Sequence, residues 1–199
     1  MNPAIDFPSL INLDVSKQNA FAYLAAQRAY PTSVTFSEKY SFGHANVFDQ
    51  AIEILHSSIF NHQLASIAES FLEIIDRNAP ATNDYPTYNG TVAQDCGVLF
   101  LTAIRMLIEN NREAWLGDIS TLLTDAVDAY VVEKNDLDYG DENFEEIIAS
   151  DPLMVGEINA QNGIISYLKS KTVIDQSDID YLLNWQKEMT VNLILDWDK

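Results

Sequence analysis

Apolar residues recur along this chain at helical spacing. Phe48, Ala51, Ile52, Leu55 and Ile59 fall at i, i+3, i+4, i+7 and i+11 and make one stripe fit for burial. Leu64, Ile67, Ala68, Phe71, Leu72 and Ile75 make a second, and Ile119, Leu122, Leu123, Ala126, Val127, Tyr130 and Val131 another. A last, less regular stripe runs through Ile179, Leu182, Leu183, Gln186, Thr190, Leu193 and Trp197. No alternating run of β-branched residues competes with these, so the pattern predicts an all-α protein. From Val92 to Glu109 the chain is apolar on more than one side, with Val92, Cys96, Leu99, Ala103 and Leu107 on one stripe and Val98, Leu101 and Ile104 beside it. That segment is the expected central helix.

Helix ends are predicted at "AYPTS" around Pro31, "SFGH" around Gly43, "RNAPATNDYPTYNGT" over 77–91, "WLGD" around Gly117, an acidic stretch, and "KTVIDQSD" from 171. The connectors are short, and neither an internal repeat nor a long polar linker divides the chain. The expectation is one compact bundle of about eight helices over residues 1–199.

Charge changes the picture. Thirty Asp and Glu stand against eleven Lys and Arg, a net of −19, where a small domain commonly carries a magnitude of about 2 to 8. The basic residues are scattered with no adjacent pair, so the chain lacks the positive stripe that neutralises phosphates or anionic lipid. Direct binding to nucleic acid or membrane is not expected; a basic protein is the natural electrostatic partner. The acids concentrate in "NDLDYGDENFEEIIASD", residues 135–151, which holds seven carboxylates and no Lys or Arg. Asp118, Asp125 and Asp128 lie opposite the apolar stripe of the preceding helix, and from Asp118 to Asp151 eleven acids face one base, Lys134. If the stretch folds beside that helix, Asp118, Asp125, Asp128, Asp136, Asp138, Asp141, Glu142, Glu145 and Glu146 form one negative docking face. A plainer reading covers part of the cluster: Asp141 caps a helix running to about Ala149, with Glu142 in its first turn against the helix dipole.

Other candidate chemistry is thin. A calcium loop counted from Asp136 has Asp141 where the sharp-turn Gly belongs and Ile147 where the bidentate Glu belongs. Glu53 and His56 have the Glu-x-x-His spacing of di-iron bundles, but no second pair accompanies them. Cys96 lies in the most apolar segment, where a thiol is a packed core residue. No Gly-rich phosphate loop, nucleophile elbow or Cys-x-x-Cys occurs, so no catalytic, cofactor or metal set is predicted. Tyr85, Pro86 and Tyr88 fit either an interface loop or a lid over the central helix. The first cation after Met1 is Lys17, and the longest uncharged apolar run, "CGVLFLTAI", is far short of the roughly 20 residues of a membrane helix. With a single cysteine, a cytoplasmic location is expected.

Several segments together resemble the YjaG-like bacterial domain-of-unknown-function family, DUF416. They are "FAYLAAQRAYP" from Phe21 to Pro31, Phe42 and Gly43 opening a long amphipathic helix, "APATNDYPTYNGTVAQDCGVLF" with Asp95 and Cys96, and Asp151–Pro152 followed by Glu157. The resemblance covers nearly the whole chain and implies a helical fold, with no activity attached. By analogy with acidic bacterial proteins of this size, the basic partner is expected to be a toxin that an immunity protein of this kind occludes. A DNA-mimic regulator is a related expectation. The alternatives are a small-ligand, metal-binding or enzymatic protein with a site between helices, and a housekeeping homo-oligomer such as a homodimer.

Overall fold

A computed structural model describes residues 4–61, 65–81, 83–85, 87–140 and 142–189. Among them the chain is helical throughout its regular structure, with α1 (Phe7–Ile11), α2 (Val15–Tyr40), α3 (Asn46–Phe60), α4 (Ala65–Asn78), α5 (Tyr88–Ile108), α6 (Arg112–Asn135), α7 (Phe144–Ser150), α8 (Pro152–Ser170) and α9 (Gln176–Met189). The all-α expectation holds, and α5 is the central helix it anticipated: α2, α3, α4 and α6 all pack on it. Phe21, Leu24, Phe48, Leu55, Ile75, Leu99, Phe100, Ile104 and Met106 are almost wholly excluded from solvent in one core. A smaller cluster of Val127, Val131, Phe144, Ile148 and Met154 holds α7 and the start of α8 against the end of α6.

Two predicted helix ends are not ends. Pro31 lies inside α2, which runs 26 residues from Val15 to Tyr40. Proline lacks the N–H that would bond four residues back and disfavours a helix interior, yet Ala29, Thr32, Ser33 and Phe36 around it are buried, and their packing carries the helix through. Gly117 lies inside α6 beside Phe7 of α1, where even a Cβ would stand at an ordinary contact distance of 3.4 Å from the ring. The real break is at 109–111. The turn at Gly43 is genuine, with φ +63, a left-handed backbone that glycine adopts without strain.

The stripes are mostly inside, with one exception. Ile67 is half exposed on α4 although Ala68, Phe71 and Ile75 of the same stripe are buried. Thr190, Leu193 and Trp197 of the last stripe, and Leu64 of the second, lie outside the described residues. α5 is long and apolar enough to cross a membrane by length and composition, contrary to the sequence expectation, but 61% of the relevant window is packed inside the fold.

Polar groups also bind the helices together. Arg28 of α2 makes a two-pronged ion pair with Glu157 of α8, one prong at 2.7 Å, with both side chains buried. Gln161 Nε2 donates to Glu157 at 2.9 Å, and the Ser120 hydroxyl of α6 donates to Gln161 at 2.6 Å. These bonds offset most of the cost of burying the pair, although the buried Arg28 Nε finds no partner among the described residues.

Candidate functional site

Three elements meet around an open cleft of about 470 Å³. α5 contributes Tyr88, Thr91 and Asp95; α6 contributes Asp125, Asp128, Ala129, Val132 and Glu133. Tyr139, from the segment between α6 and α7, and Phe144 and Glu145 at the start of α7 complete the wall. The placement follows from helical period. Tyr88, Thr91 and Asp95 are three and four residues apart on one face of α5, as are Asp125, Asp128 and Val132 on α6. Five carboxylates thus line one concavity, and among the described residues no Lys, Arg or His lines it.

The electrostatics follow from that crowding. Burial against α6 pushes Asp95 up to about 6, and the negative charge of Asp125 adds to the effect. Burial also raises Asp125, and it raises Asp128 with help from the charges of Asp125 and Glu145. Among the described residues no three Asp, Glu, His or Cys side chains converge closely enough to hold a metal ion, so the carboxylates are spread over the cleft wall. Aromatic surface lies among them: the Tyr139 ring is 5.1 Å from Phe144, and Tyr139 is 87% exposed.

Of the residues expected on the docking face, Asp125, Asp128 and Glu145 are brought together in this cleft. Asp118 is exposed on α6 outside it, and Asp136, Asp138, Glu142 and Glu146 are exposed around the connecting segment. Asp141 lies outside the described residues, so its capping role does too. The helix it was expected to open begins later, at Phe144 with Asn143 in the cap position, and its first turn carries Glu145 and Glu146, not Glu142. Asp136 ends α6 in a left-handed conformation at φ 52. Asp138 accepts from the Gly140 N–H at 3.0 Å. Asp151 caps α8 through the Leu153 N–H and pairs with Lys134 at 3.5 Å, so it serves structure.

Asp95 and Glu133 were not anticipated in the site. The signal for Asp95 was present: an acid on an otherwise apolar helix, in phase with Tyr88 and Thr91. Glu133 was visible only once α6 and α7 were placed. The two loop tyrosines divide: Tyr85 packs edge-on against Phe36 at 5.0 Å and Phe42 at 5.7 Å, closing the fold, whereas Tyr88 lines the cleft. Pro86 lies outside the described residues. His56 is engaged with Gln176 at 2.9 Å, and its ring lies tilted against Tyr23 at 5.2 Å. Cys96 is a buried core thiol, which burial pushes up to about 12.

A second, larger groove of about 750 Å³ is lined by Asp14, Val15, Ser16, Ile59, Phe60, Thr172, Val173 and Ile174. Its one carboxylate, Asp14, caps α2 and pairs with Lys17 at 2.8 Å. The smaller cleft is where titratable groups converge, and it is the better candidate site.

The fold and the cleft describe an all-helical protein with an acidic, aromatic-edged concavity. The family model described as "Protein of unknown function (DUF416)" matches residues 7–192, and the chain belongs to that family. It is similar to a DUF416 family protein from Shewanella baltica OS155, solved by crystallography at 1.91 Å. The identity is 25% over 96% of this chain and 97% of that one, with a TM-score of 0.81. A search of curated proteins finds no match.

Proposed function

We propose that the α5–α6–α7 cleft docks a basic partner protein. The observation that supports this is the set of five carboxylates around one concavity that, among the described residues, no cation lines. Such a field attracts positive charge over a distance, and a concave, low-dielectric wall concentrates it. Tyr139, exposed at the rim, supplies the kind of aromatic anchor that interfaces favour. In its most concrete form the partner is a toxin whose positive substrate site the cleft occludes. The test is capture from the native host at about 50 mM and then about 300 mM salt, since screening removes loose attraction first. A basic protein retained at the higher salt by the native chain, and lost with Asp125→Asn/Asp128→Asn/Glu145→Gln, is the expected result. Retention unchanged by these substitutions rules the cleft out as the docking site.

A second reading is favoured by Asp95 itself, because a carboxyl shifted to about 6 in a cleft is a mark of ligand and catalytic sites. On that reading the cleft takes a small organic cation between its carboxylates and its aromatic rings. Stabilisation of the folded protein by a diamine or polyamine, abolished by Asp95→Asn, distinguishes it from protein docking.

A further inference from the structure

We propose that Asn89 is a site of spontaneous modification, losing ammonia to Gly90 at a rate set by fraying of the first turn of α5, while the same dipeptide at Asn162–Gly163 stays locked. The inference is independent of what the cleft binds. Asn-Gly is the pairing in which this reaction is easiest, because glycine has no side chain to hinder its own nitrogen. The Gly90 backbone nitrogen gives its proton to hydroxide and bonds to Asn89 Cγ; the bond from Cγ to Nδ2 breaks, and the nitrogen leaves as ammonia. Water then opens the five-membered imide at one carbonyl or the other, leaving Asp or isoaspartate at position 89. No electrons change hands, and hydroxide and water are the only co-reactants.

Gly90 and Gly163 are the two glycines of the chain that follow an asparagine, so they provide an internal comparison. Neither can be exchanged for a larger residue to remove the labile pair. A Cβ at Gly90 would stand 2.0 Å from the Tyr85 carbonyl oxygen, and one at Gly163 would stand 2.4 Å from the Trp185 ring.

Their surroundings differ. Gly163 lies well inside α8, where backbone N–H groups are engaged in the helix ladder. The Asn162 amide beside it is gripped at both ends: Oδ1 accepts from the Asp6 N–H at 2.7 Å, and Nδ2 donates to the Ala4 carbonyl at 2.8 Å. Asn89 and Gly90 are instead in the first turn of α5, whose N–H groups have no carbonyl within the helix to bond. The Gly90 nitrogen is held by the capping side chain, donating to the Thr87 hydroxyl at 3.1 Å. Attack on Cγ requires an Asn89 ψ far from the helical value of about −42°. The reaction therefore proceeds when this turn opens, and Thr87 is its gate.

The native chain, Thr87→Val and Thr87→Ser are held at mildly alkaline pH for several half-lives of the reaction in concentrated urea, and each Asn is mapped by peptide mass for the gain of about 1 Da. In urea the two pairs should convert at the same rate. In the folded chain Asn89 should convert at least about tenfold faster than Asn162. Thr87→Val should speed Asn89 about fivefold, the factor for a lost cap, and leave Asn162 unchanged, whereas Thr87→Ser keeps the hydroxyl and the native rate. Equal rates at the two pairs in the folded chain, or an intact Asn89 once the urea-unfolded chain has converted, overturn the site. An unchanged Asn89 rate in Thr87→Val, or equal acceleration at Asn162 through general loosening of the fold, overturns the gate.

Discussion

At the residue scale, Asp95 and Arg28 show two ways of placing charge inside a helical bundle. Asp95 is half-buried in a cleft that no cation lines among the described residues, so the fold holds it against its preference. Its folded-state pKa lies above the unfolded value, and the folded chain therefore binds the proton more tightly between pH 4 and 6. The sign follows: the penalty is present above about pH 6 and is relieved as pH falls toward 4. Asp95→Asn should raise the melting temperature by about 2–4 °C at pH 8, a modest shift because the group is partly exposed to solvent, and by about half as much at pH 5. Thermal melts at the two pH values check this. Arg28 is the opposite case, paired and fully enclosed with Glu157. Arg28→Met strands the carboxylate and should lower stability in urea by about 3–5 kcal/mol, and adding Glu157→Leu should recover most of that loss. Both residues are visible in the chain as charges near apolar stripes, but nothing local tells which one finds a partner. Glu157 lies 129 residues from Arg28.

Helices show where periodicity is legible and where it fails. The stripes of α3, α5 and α6 are readable because burial of one face dominates their energetics. Pro31 and Gly117 misled because a local propensity of about 1–3 kcal/mol yields to tertiary packing. Half of the cleft was legible, in Asp125, Asp128 and Glu145; Asp95 and Glu133 required the crossing of α5 and α6, which spacing within one helix does not encode. The glycines of α8 make the same point in a measurable form. At Gly156 a Cβ would meet nothing within 4 Å, and Gly156→Ala should stabilise by about 1 kcal/mol through helix propensity. Seven residues on, a Cβ at Gly163 would stand 2.4 Å from Trp185 of α9. Gly163→Ala should therefore destabilise, by about 1–3 kcal/mol, in the same urea titration.

For the molecule as a whole, a net charge of −19 is a field that every helix experiences. Screening should stabilise the fold, so the melting temperature should rise between about 20 mM and about 300 mM sodium chloride. The central core and the small α6–α7–α8 cluster should also part company under hydrogen exchange: amides of α7 should exchange well before those of α5, because Phe144 and Ile148 are its only buried anchors. The part of the protein that carries the cleft's rim is then also the part that opens most readily.

The bond between Arg28 and Glu157 has a consequence for synthesis. At about 5–20 residues per second, translation brings Glu157 into being on the order of ten seconds after Arg28. Until then α2 can be helical, but its guanidinium must stay in water, and so must the surface around it. The last third of the chain therefore licenses the dehydration of the first. A nascent chain stalled before residue 157 should remain protease-sensitive along α2, and one stalled far enough beyond it to expose α8 should not.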